Sequence, residues 1–419
     1  MKNNWRKFIP ACVAGNILEL YEFIIYGYFA NIIGTLFFPF QDKYSSLLAT
    51  FAVFATGSIV RPFSAIVLGY VGDKKGRRVS LIISIGVMAI STLGIGLLPT
   101  YSQIGITAPI MLLCFRVSQG LSMTSEEVGA ALFLSENAFQ NEKGYASCVV
   151  LGSVYIGLFL GSIISALIFS ALNEPALLSW GWRIPFILGG IIGLATLVAR
   201  IKQPESQEFN EALLKHSIAT NPLINLFKKN KLSLIRITFL TSLFAVAVYL
   251  FAVYIPNTID IDHMHRYQTM LICSVEFLLT FAVSLIVGKW VDKAGPKAPL
   301  LTSTVGFLLF SYPIFLFLSS GSLIPIIVAY TLFSILLGMS AGAIMYSIIK
   351  CFPVSTRFSG SCISFNLSMS LFGGTAPLLA LYLTKLTHHQ TAPALLLILT
   401  AIFTLISLLI ETQEKISDS

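Results

Sequence analysis

The stretch GNILELYEFIIYGYF at 15–29 sets two glutamates, Glu19 and Glu22, in a segment apolar enough to lie in a membrane. A charge at the bilayer centre costs about 2.5–3.5 kcal/mol on insertion scales, so the pair needs a reason. With 3.6 residues per helical turn, Gly15, Glu19, Glu22 and Tyr26 fall within about 60° of one another. Ile17, Leu20 and Ile24 lie on the opposite side. Two neighbouring carboxylates in a poorly solvated site cannot both ionise easily, so one can take a proton from one side and release it to the other. A static, hydrogen-bonded pair is the plainer alternative. Arg61 and Arg116 are the basic residues well inside apolar stretches. Arginine keeps its proton, so each must meet a carboxylate, either of the chain in a permanent salt bridge or of a ligand. Glu126 and Glu127 follow Arg116, then Glu136, and Glu276 stands alone in LICSVEFLLTF. Tyr21, Phe23, Tyr26 and Tyr28 offer faces over which an ammonium can bind, although ordinary packing explains any one of them. Arginine for a carboxylate, with glutamate and aromatics for a cation, suits a zwitterion.

These residues need elements to hold them. Of 419 residues, 56% are hydrophobic and 11% charged. Soluble domains carry about 25% charged residues, so this composition belongs to a membrane protein. A span takes about 20 apolar residues. Uncharged runs place helices near 8–30, 46–70, 80–99, 104–127, 144–171, 183–200, 234–256, 268–289, 299–319, 323–349, 358–384 and 391–410. Residues 300–349 carry no charge and are too long for one span, so Ser319-Ser320-Gly321 is the expected break. The basic, then apolar N-terminus has no small-residue cleavage site and reads as a retained first span. Lys2, Arg6, Lys7, the group Lys74 to Arg78, Lys202 to Lys231, Lys289 to Lys297, Lys350 and Arg357 mark alternate loops. The positive-inside rule then puts both termini in the cytoplasm, and the net charge of +8 reflects topology and not a nucleic-acid footprint. The six cysteines are scattered, with no CxxC pair, and read as small buried hydrophobes. The loop 257–268, with Asp260, Asp262, His263 and His265, reads as a solvated loop and not a metal site. No metal and no cofactor are expected.

The polar segment 201–232 separates six spans from six and prompts a search for a repeat. GYVGDKKGRR starts at Gly69 and GKWVDKAGPK at Gly288, and both read G-x-x-x-D-K-x-G. Each follows the second span of its half. Glycine permits close helix approach and a tight turn, aspartate can receive a helix N-terminal dipole, and arginine can pair with a neighbouring carboxylate. Gly69, Asp73, Gly76, Arg77, Arg78 and Asp292, with Glu136 as an arginine acceptor, therefore form a candidate cytoplasmic gate.

GYVGDKKGRRVSL resembles the signature loop of the major facilitator superfamily. The second copy is degraded, with Pro296 and Lys297 where an arginine pair is expected. GNILELYEFIIYG at 15–27 is similar to the first-helix signature of that superfamily's metabolite:proton symporters. RVSQGLSMTSEEVGAALFLSE at 116–136 resembles their fourth helix, and Arg61-Pro62, WGWRIPF at 180–186 and RFSGSCISFN at 357–366 match in place. The nearest well-known members carry proline, betaine and related organic acids. The resemblance implies an all-α membrane protein of 12 transmembrane helices in two six-helix halves. The expected division is 1–200, a cytoplasmic linker at 201–232, and 233–419. The halves would rock about a central site.

Glu19, Glu22, Arg116 and Glu126 are then expected to couple protons, and Asn16, Tyr26, Arg61, Gln119 and Asn366 to bind substrate. Leu20 stands for the family's tryptophan, Glu22 for its aspartate, and Thr124-Ser125 for a glycine pair. These departures lie where substrate is expected and point to a different substrate. The sequence ends at Ser419 without the coiled coil of osmosensing members, so osmosensing is not expected. The implied protein is a monomeric, multi-pass importer in the bacterial inner membrane, with a small metabolite, protons and the lipid bilayer as partners. Proton-coupled export of a drug, siderophore or metabolite is the alternative. Gly157 and Gly161 on helix five have the antiporter spacing but lack its proline. Intramembrane catalysis lacks a zinc motif or a Ser/His pair, and a sensor lacks an appended soluble domain.

Overall fold

Inside a bilayer every backbone N–H and C=O must be satisfied within the protein, and a helix does this within one segment. The computed structural model describes residues 5–75, 77–122, 126–201, 226, 230–258, 266–353 and 356–417, and all regular elements among them are helical. Nine are long and apolar enough to cross a membrane: Trp5–Tyr28, Lys43–Leu68, Lys143–Ala171, Gly181–Val198, Lys231–Thr258, Arg266–Ala294, Lys297–Leu318, Leu323–Cys351 and Arg357–Thr387. The third span contains the shorter apolar helix Ile82–Leu97, and the twelfth contains Ala394–Ile410. The fourth comprises Thr107–Ser122 and Glu126–Asn137, completing twelve. The expected break in the uncharged run holds, since one helix ends at Leu318 and the next starts at Leu323.

Three boundaries run well past the sequence expectation, and the first is the eighth helix, expected to end near 289, which continues to Ala294 and carries Asp292. Glu126 and Glu127 look like an end to the fourth span, yet helix continues to Asn137 with Val128, Ala131 and Leu134 fully buried. The twelfth helix continues from Ala394 to Ser417, beyond its last apolar turn. The side of the first helix opposite its glutamates does not face lipid. A Cβ on Gly157 would meet the backbone of Ile17, and one on Gly161 would meet Ile24. The glycine spacing on the fifth span thus brings it against the first.

Two helices carry a π-helical turn, Leu250–Tyr254 in the seventh span and Met369–Gly374 in the eleventh. They pack against the first and second spans respectively. There Ser370 donates to the carbonyl of Ser58 at 2.6 Å, and the hydroxyls of Ser58 and Tyr249 lie 3.3 Å apart. The eighth span packs along the fifth. The two halves therefore meet through the first, second, fourth and fifth spans on one side and the seventh, eighth, tenth and eleventh on the other.

Candidate functional site

Among the described residues, four of the buried charged side chains converge within the first half. Glu19 and Glu22 come from the first span, Arg61 from the second, and Arg116 and Gln119 from the fourth, and all five line one small cavity. Each is 9% exposed or less. Close helix approach makes this convergence possible. A Cβ on Gly120 would sit 1.8 Å from the carbonyl oxygen of Gly57, so only glycine allows the second and fourth spans to cross there. A second small cavity, on the other side of the glutamates, adds Ser84, Ser122 and Thr196.

Arg116 lies with its guanidinium carbon 4.0 Å from the Tyr26 ring centroid and 5.1 Å from that of Phe54. It donates through Nη1 to Gln119 Oε1 at 2.8 Å. Gln119 Nε2 donates to Thr92 Oγ1 at 2.7 Å, and Thr92 donates to Glu22 Oε2. The expected glutamate–arginine network is present, but its two charges meet through an amide and a hydroxyl. Among the described residues, Glu22 Oε1 and Arg116 Nε have no hydrogen-bond partner. Arg61 lies within electrostatic reach of both Arg116 and Glu127.

The other expected site residues separate. Asn16 lies outside the cavity and donates to the Val150 carbonyl at 3.5 Å, joining the first and fifth spans. Tyr26 is fully buried beneath Arg116, and its hydroxyl donates to the Thr50 carbonyl at 3.3 Å. Asn366 donates to Cys362 on its own helix. Glu276 accepts from Thr331 of the tenth span at 3.0 Å. The side chains of Gly69, Asp73, Arg77, Arg78 and Glu126 lie outside the described residues, as do Gly76, Thr124, Ser125 and the 259–265 loop with its two aspartates and two histidines. Thr92, Ser58 and Tyr249 join the site without a sequence signal, because a lone hydroxyl in an apolar span has no pattern to mark it.

The halves are tied at both ends. At the end carrying the basic loops, the Asp292 carboxylate accepts the backbone N–H groups of Gly144 at 2.7 Å and Tyr145 at 3.1 Å. These open the fifth helix, so the aspartate meets an exposed helix N-terminus as its motif implies. Gly295 of the same motif turns the chain at φ 79°, which a side chain would oppose. Arg357 pairs with Glu136 at 3.4 Å. At the opposite end, Asn257 Nδ2 donates to the Gly27 carbonyl at 2.7 Å and Arg266 donates to the Tyr28 carbonyl at 3.1 Å. Lys385 and Asp42 lie 3.6 Å apart there, and the Tyr44 N–H holds the Asp42 carboxyl below its usual range.

The Major Facilitator Superfamily model matches residues 22–363 and 237–418. A putative proline/betaine transporter of Staphylococcus aureus (strain MSSA476) is 33% identical over 399 residues, covering 93% of this chain and 84% of that protein. A citrate-proton symporter of Klebsiella pneumoniae is 30% identical over 388 residues, covering 91% and 86%. Among solved structures, the proton:xylose symporter XylE bound to 6-bromo-6-deoxy-D-glucose aligns with a TM-score of 0.77 at 16% identity, covering 98% of this chain and 95% of that one. A partially occluded inward-open form of XylE from E. coli aligns at 0.75, also at 16% identity, covering 98% and 97%. These two show a shared fold. The chain is therefore a transporter and not an enzyme, and it belongs to the major facilitator superfamily, within its metabolite:proton symporter family.

Proposed function

We propose that this transporter is a proton-coupled symporter that imports a small zwitterionic or carboxylate metabolite, of the proline, betaine or organic-acid kind, by alternating access. The observation that carries this reading is the small cavity where the buried side chains of Glu19, Glu22, Arg61 and Arg116 meet. A buried guanidinium bonded to an amide is a ready receptor for a carboxylate, which it can grip with two parallel hydrogen bonds. A buried glutamate with a bare oxygen is a group that a proton can neutralise. The names of the relatives, a proline/betaine transporter and a citrate-proton symporter, point to the same ligand chemistry.

In this reading the basic loops face the cytoplasm of a bacterial cell, both termini lie there, and residues 201–232 link bundles 1–200 and 233–419. Substrate and proton enter from outside. Arg116, with Arg61 and Gln119, receives the carboxylate, while Glu22 and Glu19 hold the proton. Neutralisation weakens the attraction that keeps the first bundle in its present arrangement. The bundles then rock, Asp292 leaves the start of the fifth helix, Arg357 parts from Glu136, and both ligands leave inward. Ser58 and Tyr249 lie between the bundles beside the cavity and transmit its occupancy.

Uptake of labelled proline, betaine, citrate, 2-oxoglutarate and shikimate into proteoliposomes, with and without an inward proton gradient, tests this. One compound is expected to accumulate when the gradient is applied. Glu22→Gln is expected to abolish that stimulation while the protein remains folded. Uptake indifferent to the gradient and to Glu19→Gln and Glu22→Gln would remove the coupling role. Gradient-driven efflux of a preloaded compound would favour the exporter. The antiporter-like spacing of Gly157 and Gly161 lends the exporter nothing further, because those glycines are used in packing against the first span.

A further inference from the structure

Three hydrogen bonds run in one direction through the first bundle, from Arg116 to Gln119, from Gln119 to Thr92, and from Thr92 to Glu22. All four side chains are buried, with Thr92 fully enclosed. Their polarity is set by the two ends. A guanidinium can only donate and an ionised carboxylate can only accept, so the amide must turn its oxygen to Arg116 and the hydroxyl its proton to Glu22. Among the described residues, Thr92 Oγ1 has just two partners, Glu22 and Gln119. It differs in this from Thr196, whose hydroxyl is bonded to the Ile192 carbonyl one turn back.

Adding a proton to Glu22 reverses this order. A proton on Oε1 would point at the sixth span, where the oxygen lies 3.6 Å from the place a Gly193 Cβ would occupy and has no acceptor. A buried donor left unbonded costs about 1–3 kcal/mol, which favours Oε2. A proton on Oε2 must be accepted by Thr92, and the Thr92 hydroxyl must then turn its own proton to Gln119. The amide can accept it only by rotating its oxygen toward Thr92, which presents its NH2 group to Arg116. Two donors then face each other, and Arg116 loses its acceptor.

We propose that Thr92 and Gln119 form a hydrogen-bond relay through which protonation of Glu22 releases Arg116 to bind the carboxylate of the substrate. The proton comes from bulk water, forms one O–H bond on Glu22 and stays there. The relay passes on orientation and moves no proton to Arg116. Thr92 is a positioning residue, since it acts through Gln119. The inference rests on the proton-coupled reading above and gives it an order of events, with proton first and carboxylate second.

The other charges around the pair are Glu19 on the same helix and Arg61 on the second, with Glu127 beyond Arg61. The phenols are Tyr21 and Tyr26 of the first span and Tyr249 of the seventh. The third and sixth spans bring Thr92, Met88, Gly189 and Gly193 against Glu22, none of them titratable. The relay is thus the bonded link between Glu22 and Arg116, which also attract each other through space, and Arg61 lies within electrostatic reach of Arg116.

The test is equilibrium binding of labelled proline, betaine and citrate to the purified full-length protein in acidic and in alkaline buffer. The wild type is expected to bind one of them tighter in acid, by about 5- to 150-fold, the usual span of coupling between two ligands. Thr92→Val keeps the side-chain volume and removes the hydroxyl. It is expected to bind the same compound with less than about a twofold difference between the two buffers, and Thr92→Ser is expected to restore the wild-type ratio. Thr92→Val with an unchanged ratio overturns the relay while leaving proton coupling in place. So does a loss of binding in both buffers that Thr92→Ser fails to rescue. A wild type whose binding of all three compounds ignores pH overturns the proton-coupled reading, and the relay with it.

Discussion

In the first bundle, Glu19, Glu22, Arg61, Arg116 and Gln119 come from three helices and meet in one cavity. In the second, Glu276 is the one buried acid among the described residues, and it is bonded to Thr331 of the neighbouring tenth helix. The architecture repeats and the chemistry does not. The second bundle instead presents to the site the π-helical turns of its seventh and eleventh spans, with Tyr249 against Phe23 and Phe54 and Ser370 against Ser58. Confining the charges to one bundle has a mechanical consequence. A bundle that moves as a body can gain or lose a proton without breaking a salt bridge to its partner. In the proposed mechanism the partner senses the change through the rings of Phe23, Phe54 and Tyr249, packed beside Arg116.

The comparison breaks most readily at Arg116. Removing one member of a buried, hydrogen-bonded charged set costs about 2–5 kcal/mol. Arg116→Gln is therefore expected to weaken binding of the transported compound by about 30-fold or more, at about tenfold per 1.4 kcal/mol. Glu276→Gln keeps the hydrogen bond to Thr331 and is expected to change the same dissociation constant by less than about twofold. Radioligand binding to both purified variants decides it. A Glu276 variant as damaged as the Arg116 variant would mean that the second bundle holds part of the site.

Much of this asymmetry is visible in the residues alone. Glu19, Glu22, Arg61 and Arg116 stand out because each is a charge in an apolar run, and helical periodicity places the two glutamates on one stripe. The repeat at Gly69 and Gly288 marks two halves because the same four letters recur at the same place in each. What residue types do not carry is partnership. Thr92 looks like any hydroxyl in an apolar span, and its bond to Glu22 depends on how the first and third helices cross. The motif at Asp292 points to a helix start, but that the fifth helix supplies it depends on how the fifth and eighth spans pack. The pairing of Arg357 with Glu136 joins opposite halves of the chain. Asn16, expected to bind substrate from the resemblance at 15–27, uses its amide nitrogen between the first and fifth helices, a partnership its residue type does not carry.

A second contrast lies between the two ends of the molecule, and Asp292 sharpens it. Its carboxylate combines two hydrogen bonds with the charge–dipole attraction of a helix start. Asp292→Asn keeps one acceptor oxygen and loses the charge, a change of about 0.3–1 kcal/mol for a helix terminus. The basic-loop end should then open about two- to fivefold more often. Cys148 reports this directly. It is buried between the fifth and eighth spans, close to Gly288, with its thiol bonded to the Ser284 carbonyl. In a protein with Cys12, Cys114, Cys273, Cys351 and Cys362 replaced by serine, maleimide labelling of Cys148 should accelerate by that factor in Asp292→Asn. An unchanged rate would show that the aspartate decorates the closed end without holding it.

The smallest effect is expected at the opposite end, where Asp42 and Lys385 are each 55% exposed. An exposed pair is screened by salt and holds two mobile side chains at an entropic cost, so it adds little to closure. The sign of its pH dependence is nevertheless fixed. The Tyr44 N–H, then the Ser45 hydroxyl and Lys385, hold the Asp42 carboxyl below its ordinary range. A carboxyl depressed by folding stabilises the native state above the unfolded value, about 3.9, and loses that contribution as pH falls through its folded value. Asp42 therefore stays charged throughout the range from weakly acidic to alkaline, where transport is assayed. Asp42→Asn should leave the pH profile of uptake superimposable on that of the wild type, while Glu22→Gln flattens it. A profile displaced by Asp42→Asn would place part of the proton response at the end opposite the basic loops and would break the assignment of that response to the first bundle's cavity.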